Sequence, residues 1–216
     1  MSPISDRTYA AFLFDMDGTL LTSIASAERC WARWAGQHGL DVAAFLPTIH
    51  GKRAVDTIRQ LALPGVDPVA EAATLTRMEI EDVADIQPIT GAAVFLNAVP
   101  ANRWAVVTSA PRALALARMQ SAGLPPPPLM ITAEDVENGK PAPDGYKLAA
   151  RQLGFAPADC LVFEDAPAGI QAGVAAGADV LVITQTHPEP SSQSAEQSVV
   201  NYVGMSVRVS DAGIGI

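Results

Sequence analysis

Cysteine is nearly absent from this chain: 216 residues hold two, Cys30 and Cys160, far apart in sequence. No Cys-x-x-Cys metal spacing exists, and each thiol reads as a small buried apolar residue. Charge is scarce as well, with Asp, Glu, Lys and Arg making up 17%. Basic residues are the scarcer sign, 14 Lys and Arg against 23 Asp and Glu, for a net charge of -9. That balance argues against nonspecific nucleic-acid binding, which needs a basic face. No apolar run approaches the length of a membrane span. Residues 1–11 lack a basic region followed by a long apolar stretch. We therefore expect a cytoplasmic, reducing setting with neither a membrane nor a nucleic-acid partner. No internal repeat is visible.

What is present suits a folded core. Hydrophobic residues reach 49%, a globular rather than a disordered composition. The length allows one sizeable domain, or a core with a modest insertion. The most informative run is Phe12-Leu13-Phe14-Asp15-Met16-Asp17-Gly18-Thr19-Leu20. An apolar strand ends in two carboxylates one residue apart, then a glycine and a hydroxyl. In open α/β sheets the carboxyl ends of strands face the ligand crevice. Two neighbouring carboxylates repel unless a cation or proton lies between them, and carboxylate oxygens are the ligands Mg²⁺ prefers. The site is expected to hold a divalent metal and to handle an anion beside it. A net negative chain that binds an anion must meet it with a local cation.

Further along, the period changes. From about Ser23 to Glu81 it is helical: Cys30, Trp31, Trp34, Ala35 and Leu40, then Val55, Ile58, Leu61 and Ala62, a break at Pro64-Gly65, and Pro68 to Met78. This block reads as a small all-helical insertion. From Ile89 strands and helices alternate. Helices are expected at Ala92–Val99, Arg112–Ser121, Asp144–Leu153 and Pro167–Ala176. Strands are expected at Trp104–Val107, Leu129–Thr132, Cys160–Phe163 and Val180–Ile183. Alternation of this kind means βαβ units and a mainly parallel sheet. Pro125 to Pro128 form a stiff connector. His187 to Gln197 reads as loop, and Ser206–Ser210 with Gly213–Ile216 as a terminal hairpin.

Four polar clusters share one edge of such a sheet. They are Asp15 and Asp17; Thr108-Ser109 after the strand Trp104–Val107; Gly139-Lys140-Pro141; and Glu164-Asp165 after the strand Leu161–Phe163. Together they can process a phosphate ester. Asp15, nearest the rigid strand, is suited to attack phosphorus and form an aspartyl-phosphate. Asp17 can protonate the leaving alcohol and then take a proton from water. Thr108 and Ser109 can donate to phosphoryl oxygens, and Lys140 supplies positive charge. Glu164 and Asp165 complete an oxygen shell for Mg²⁺. Each cluster also has a plainer reading, and Asp15-Met16-Asp17-Gly18 on its own can be only a turn after a strand. Thr108-Ser109 can cap the next helix, Lys140 can be a solvated loop lysine, and Glu164-Asp165 can be acids favoured at a helix start.

In this order and spacing the clusters resemble the four motifs of the haloacid dehalogenase superfamily of phosphotransferases. The resemblance runs to about residue 185. Phe14 to Leu20 is similar to the first motif, Thr108 to the hydroxyl of the second, Lys140 in Gly139-Lys140-Pro141-Ala142-Pro143 to the third, and Phe163 to Ile170 to the fourth. Within the superfamily, Trp104 to Ser109, Ile131 to Val136 and Ile49-His50-Gly51-Lys52-Arg53 resemble the sugar- and polyol-phosphate phosphatases. Thr22 stands where many relatives have Asp, and Thr90-Gly91 where many have Pro-Gly, which loosens assignment to one substrate. The resemblance implies a Rossmann-like α/β core over residues 1–21 and 88–216, with a helical cap inserted over 22–87. It implies Mg²⁺ held by the Asp15 carboxylate, the Asp17 backbone carbonyl, Glu164 and Asp165.

The leaving group must be read away from the phosphate, and the insertion is placed for that. His50, Lys52 and Arg53 can bond sugar or polyol hydroxyls, or form an ordinary polar loop. Trp31 and Trp34 are expected to pack the insertion's core. A closing cap would exclude water. The expected substrate is a small phosphorylated sugar or polyol. Three alternatives are weighed. A phosphosugar mutase of the β-phosphoglucomutase type is disfavoured, because Ala27 and Ala54 stand where such mutases carry a histidine and an arginine. A noncatalytic phosphosugar-binding regulator would be expected to lose Asp15 or Lys140. Dehalogenase chemistry needs no metal and leaves the Asp15-Asp17 pair and the Glu164-Asp165 acids unexplained.

Overall fold

Short runs of β-branched and aromatic residues build one parallel sheet in the computed structural model, which describes residues 4–186 and 197–216. The chain begins with β1 (Ala11–Phe14) and β2 (Leu21–Thr22), then four helices, α1 (Ile24–Gln37), α2 (Val42–Phe45), α3 (Ala54–Leu61) and α4 (Pro68–Glu81). It continues through β3 (Gln87–Pro88), α5 (Ala92–Ala98), β4 (Trp104–Val107), α6 (Arg112–Ser121), β5 (Met130–Ile131) and α7 (Asp144–Leu153). It ends with β6 (Cys160–Glu164), α8 (Pro167–Ala176), β7 (Asp179–Ile183), β8 (Gln197–Val199), β9 (Arg208–Ser210) and β10 (Gly213–Gly215). The expected alternation and the terminal hairpin β9–β10 are both present. Of the expected loop His187 to Gln197, residues 187–196 lie outside the described residues. Gln197 itself opens β8.

The large sheet has the order β5-β4-β1-β6-β7-β8, and its neighbours pair in parallel. The chain moves from β1 outward to β4 and β5, then returns to the other side of β1 for β6. That reversal makes a topological switch point at β1, where a crevice opens beyond the carboxyl ends of the strands. This is a Rossmann-like α/β architecture.

Strand periodicity sorts β1 onto two faces. Phe12 and Phe14 join Phe95, Trp104, Phe163 and Tyr202 on one face, with Phe14 and Phe163 stacked at 4.5 Å between ring centroids. Ala11 and Leu13 join Ala105, Val107, Tyr146 and Val162 on the other. Both faces are covered, as parallel sheets require. Cys30 and Cys160 are free and buried, and burial pushes both thiols up to about 11.

The helical block of α1–α4 has an apolar cluster of its own, formed by Trp31, Trp34, Phe45, Ile49, Ile58 and Leu75. Its helices start where the sequence provides for it. Asp67 accepts from the Val69 N–H at 2.9 Å with Pro68 as the first helical residue, and Asp41 accepts from the Ala44 N–H at 3.2 Å. The reading of residues 22–87 as helix alone overlooks a two-stranded ribbon. Leu21 pairs with Pro88 and Thr22 with Gln87, so the block leaves and rejoins the rest of the chain through the adjacent strands of a separate two-stranded sheet. Two-residue strands are too short to show an alternating pattern. α4 also packs against α6 of the sheet layer. Among the described residues, no helix is long and apolar enough to cross a membrane.

Candidate active site

Because β1 lies between β4 and β6, their carboxyl ends deliver Asp15, Thr108-Ser109 and Glu164-Asp165 to one place. The Asp15 N–H donates to Phe163 O at 2.9 Å, which extends the ladder to the first acid. Lys140 enters from the segment between β5 and α7, just before a cis proline. Its Nζ donates to Asp15 Oδ1 at 2.5 Å and to Glu164 Oε1 at 2.6 Å. Lys140 is therefore no solvated loop lysine: its side chain is 6% exposed.

Glu164 is enclosed by donors. Tyr146 Oη–H donates to its Oε1 at 2.9 Å, and the backbone N–H groups of Asp165 and Ala166 donate to its Oε2 at 2.9 and 3.1 Å. Thr19 Oγ1 donates to Asp165 Oδ1 at 3.2 Å. Two glycines make room for these acids. Gly18 has φ +91°, and a Cβ there would overlap the Asp165 carboxylate; a Cβ on Gly169 would overlap Glu164.

Burial raises the Asp15 carboxyl well above the usual carboxylate range, and the charges of Glu164, Asp165 and Asp17 add to it, while Lys140 opposes the rise. Burial works against the Lys140 ammonium, but the charges of Asp15 and Glu164 outweigh it and raise its pKa. One ammonium does not balance this group of carboxylates. Oxygens of Asp15, Glu164 and Asp165 lie within 4.8 Å of one another, an all-oxygen donor set of the kind a hard divalent cation takes. The residues present fit such an ion.

The Asp17 carboxylate is held apart from that set. Its Oδ1 accepts from Ser23 Oγ at 2.5 Å and from Arg118 Nη1 at 2.9 Å. Arg118 Nη2 also lies 3.4 Å from Glu79 Oε1 on α4. Burial raises the Glu79 carboxyl to about 7, against the pull of Arg118. Ser23, Arg118, Glu79 and Tyr146 all escaped the sequence reading. Two of them had a signal, a charge set within an apolar helical stripe: Arg118 among Leu114, Ala115 and Met119, and Glu79 one turn after Leu75.

The second-motif hydroxyls do not cap α6, whose N-cap residue is Pro111. Thr108 Oγ1 accepts from the Ala110 N–H at 3.0 Å, and Ser109 Oγ donates across to Gly51 O at 2.9 Å. Within the 50–53 segment the structure parts Arg53 from the other two expected binding residues. His50 faces Glu28 at 3.3 Å and lines the same cavity as Lys52. Lys52 lines a cavity of about 90 Å³ that also contains Asp15, Asp17, Ser109, Glu79 and Arg118. Arg53 turns away from it. Its guanidinium donates to Val136 O at 3.0 Å and Glu137 O at 2.9 Å, and pairs with Asp56 at 2.5 Å. Trp34 is buried in the helical block with its Nε1–H on Glu71 at 2.8 Å. Trp31 packs edge-on to it and also reaches the cavity wall.

The family model for haloacid dehalogenase-like hydrolases matches residues 9–177. Hexitol phosphatase A of Escherichia coli (strain K12) is 42% identical over 187 residues, 83% of this chain and 85% of that protein. 2-Deoxyglucose-6-phosphate phosphatase 2 of Saccharomyces cerevisiae is 32% identical over 199 residues, covering 81% of this chain and 80% of that protein. Among solved structures, CbbY from Rhodobacter sphaeroides in complex with phosphate superimposes with a TM-score of 0.75 at 22% identity, over 91% of this chain and 96% of the other, a likeness of fold.

Proposed function

The chain belongs to the haloacid dehalogenase-like hydrolases, and on that premise we propose that it is a Mg²⁺-dependent phosphatase of small sugar or polyol phosphates. The observation that carries this reading is one cavity with Asp15 paired to Lys140 and Asp17 held on separate donors. Two carboxylates in different surroundings can do different chemistry.

The Asp15 carboxylate attacks phosphorus, and the bond from phosphorus to the substrate's alcohol oxygen breaks. Asp17 gives its proton to that oxygen, leaving an aspartyl-phosphate on Asp15. Asp17 then takes a proton from water, whose oxygen attacks phosphorus and releases inorganic phosphate and free Asp15. Lys140 stays charged throughout and neutralises the reacting oxygens. Thr108 and Ser109 supply hydroxyls at the phosphoryl position. Asp15, Glu164, Asp165 and the Asp17 carbonyl would hold Mg²⁺, which would offset carboxylate repulsion and developing phosphoryl charge. The donor set around Asp15 supports that assignment.

Residues 22–87 act on this reading as a cap over the core of 1–21 and 88–216. Their separate apolar cluster and the β2–β3 ribbon at their base support the division. The names of the relatives support a sugar or polyol as the leaving alcohol. Ala27 and Ala54 both line the cavity and offer only methyl groups, which weighs against a mutase. The pairing of Asp15 with Lys140 weighs against a noncatalytic regulator. Phosphate release from hexitol, hexose and glycerol phosphates, measured with Mg²⁺, tests the reading. Turnover of several of these is expected, and no release from any of them would refute it.

A further inference from the structure

We propose that Arg118, with Ser23, is the positioning residue that aims the Asp17 carboxyl at the leaving oxygen, and that Glu79 holds its guanidinium in place from α4. The inference rests on the phosphatase reading above, in which Asp17 is the acid and base.

Asp17 sits on a turn between β1 and Gly18, with a side chain that is 27% exposed. A short carboxylate there has several rotamers open to it. Both donors that reach it, Ser23 Oγ and Arg118 Nη1, fall on the same oxygen, Oδ1. Among the described residues no donor is recorded on Oδ2. Two bonds to one oxygen fix the plane of the carboxyl and leave the other oxygen to serve the substrate.

Arg118 is suited to nothing simpler. It is 4% exposed on an α6 face otherwise formed by Leu114, Ala115 and Met119. A buried charge is poor evidence for stability, since apolar replacements often do as well. Its Nε and Nη2 have no hydrogen-bond partner among the described residues. Its charge is met by two carboxylates from separate parts of the chain, Asp17 after β1 and Glu79 on α4. The guanidinium therefore ties the seating of the helical block on α6 to the orientation of Asp17.

The test is kcat/KM for glycerol phosphate, a hexose phosphate and 4-nitrophenyl phosphate with Mg²⁺. It compares the wild type with Asp17→Asn, Ser23→Ala, Arg118→Met, Arg118→Lys and the charge-balanced double variant Arg118→Met/Glu79→Gln. An alkoxide needs a proton to leave, and a nitrophenolate barely does. Asp17→Asn is expected to lower the alkyl-to-aryl ratio most. Arg118→Met and the double variant are expected to lower it about ten- to a hundredfold, part of the contribution a positioned acid makes. Ser23→Ala should lower it less, and Arg118→Lys should restore much of it. An equal fall on all three substrates in a folded Arg118 variant, or no fall, overturns the proposal. So does a loss confined to the hexose phosphate, which would make Arg118 a substrate contact. If Asp17→Asn shows no split between alkyl and aryl substrates, the acid role of Asp17 fails first and takes this inference with it.

Discussion

Asp15 and Asp17 are the same side chain two positions apart, and their neighbours separate them. Asp15 is buried against an ammonium and two more acids, while Asp17 hangs from a hydroxyl and a guanidinium. On the proposed chemistry, Asp15→Asn removes the attacking oxygen and should lower turnover of alkyl and aryl phosphates alike by roughly a thousandfold or more. Asp17→Asn should slow alkyl phosphates by about a hundredfold or more and spare much of the aryl rate. Steady-state kinetics on both classes checks this, and near-wild-type sugar phosphate turnover in either variant would contradict it. Lys140 has a structural duty as well. Lys140→Met would leave Asp15 and Glu164 buried with no cation between them. Unfolding in urea with chelator present should show a loss of about 3–5 kcal/mol, the usual result of breaking a buried pair from one side.

At the scale of elements, the 50–53 segment divides its work between neighbours. Lys52 lines the cavity, and Arg53 fastens α3 to the backbone of residues 136–137. Lys52→Ala should therefore reorder substrates. The ratio of kcat/KM between sugar and aryl phosphates should shift by about one to two decades, as a lost hydrogen bond to a charged group implies. Arg53→Ala should instead lower every substrate together by loosening α3. The contact of α4 with α6 carries a pH signature. Glu79 titrates at about 7 in the folded protein against an ordinary value of 4.5. The folded state binds the extra proton, so this contribution is fully present below about 4.5 and is lost as pH rises through about 7. Glu79→Gln should remove up to about 3 kcal/mol of that slope. Urea unfolding of wild type and variant at pH 5 and pH 8 checks it, and parallel stability changes in the two proteins would count against it.

For the whole molecule, the sheet edge gathers four acids against one lysine, in a chain whose net charge is already -9. Binding of Mg²⁺ to the folded state alone should stabilise it. At a hundredfold excess over Kd the gain is about 2.7 kcal/mol, a rise in Tm of roughly 5–10 °C for a chain of this size. Chelator should abolish both the rise and the turnover, and Asp165→Asn should lose the rise. An unchanged Tm with saturating Mg²⁺ would count against the metal assignment.

The strand–helix alternation, the helical insertion and the convergence of Asp15, Thr108, Lys140 and Glu164-Asp165 were legible in the residues, because they depend on local period and on one topological rule. A run such as Ala11 to Phe14, closed by turn residues, reads as a buried strand, and an acid directly after it then stands at the strand's carboxyl end. The β2–β3 ribbon was not legible, since two-residue strands have no period to read. Nor was the parting of Lys52 from Arg53, whose directions depend on how α3 meets residues 136–137. The partners of Asp17 are Ser23, just before α1, and Arg118 on α6, 101 positions away in the chain, and Arg118 is met in turn by Glu79 on α4. A charge inside an apolar stripe marks Arg118 and Glu79 as unusual. Only the packing of α4 on α6 decides that Glu79 and Asp17 meet at one guanidinium, because a buried ion pair depends on distance in space and leaves no spacing in the sequence.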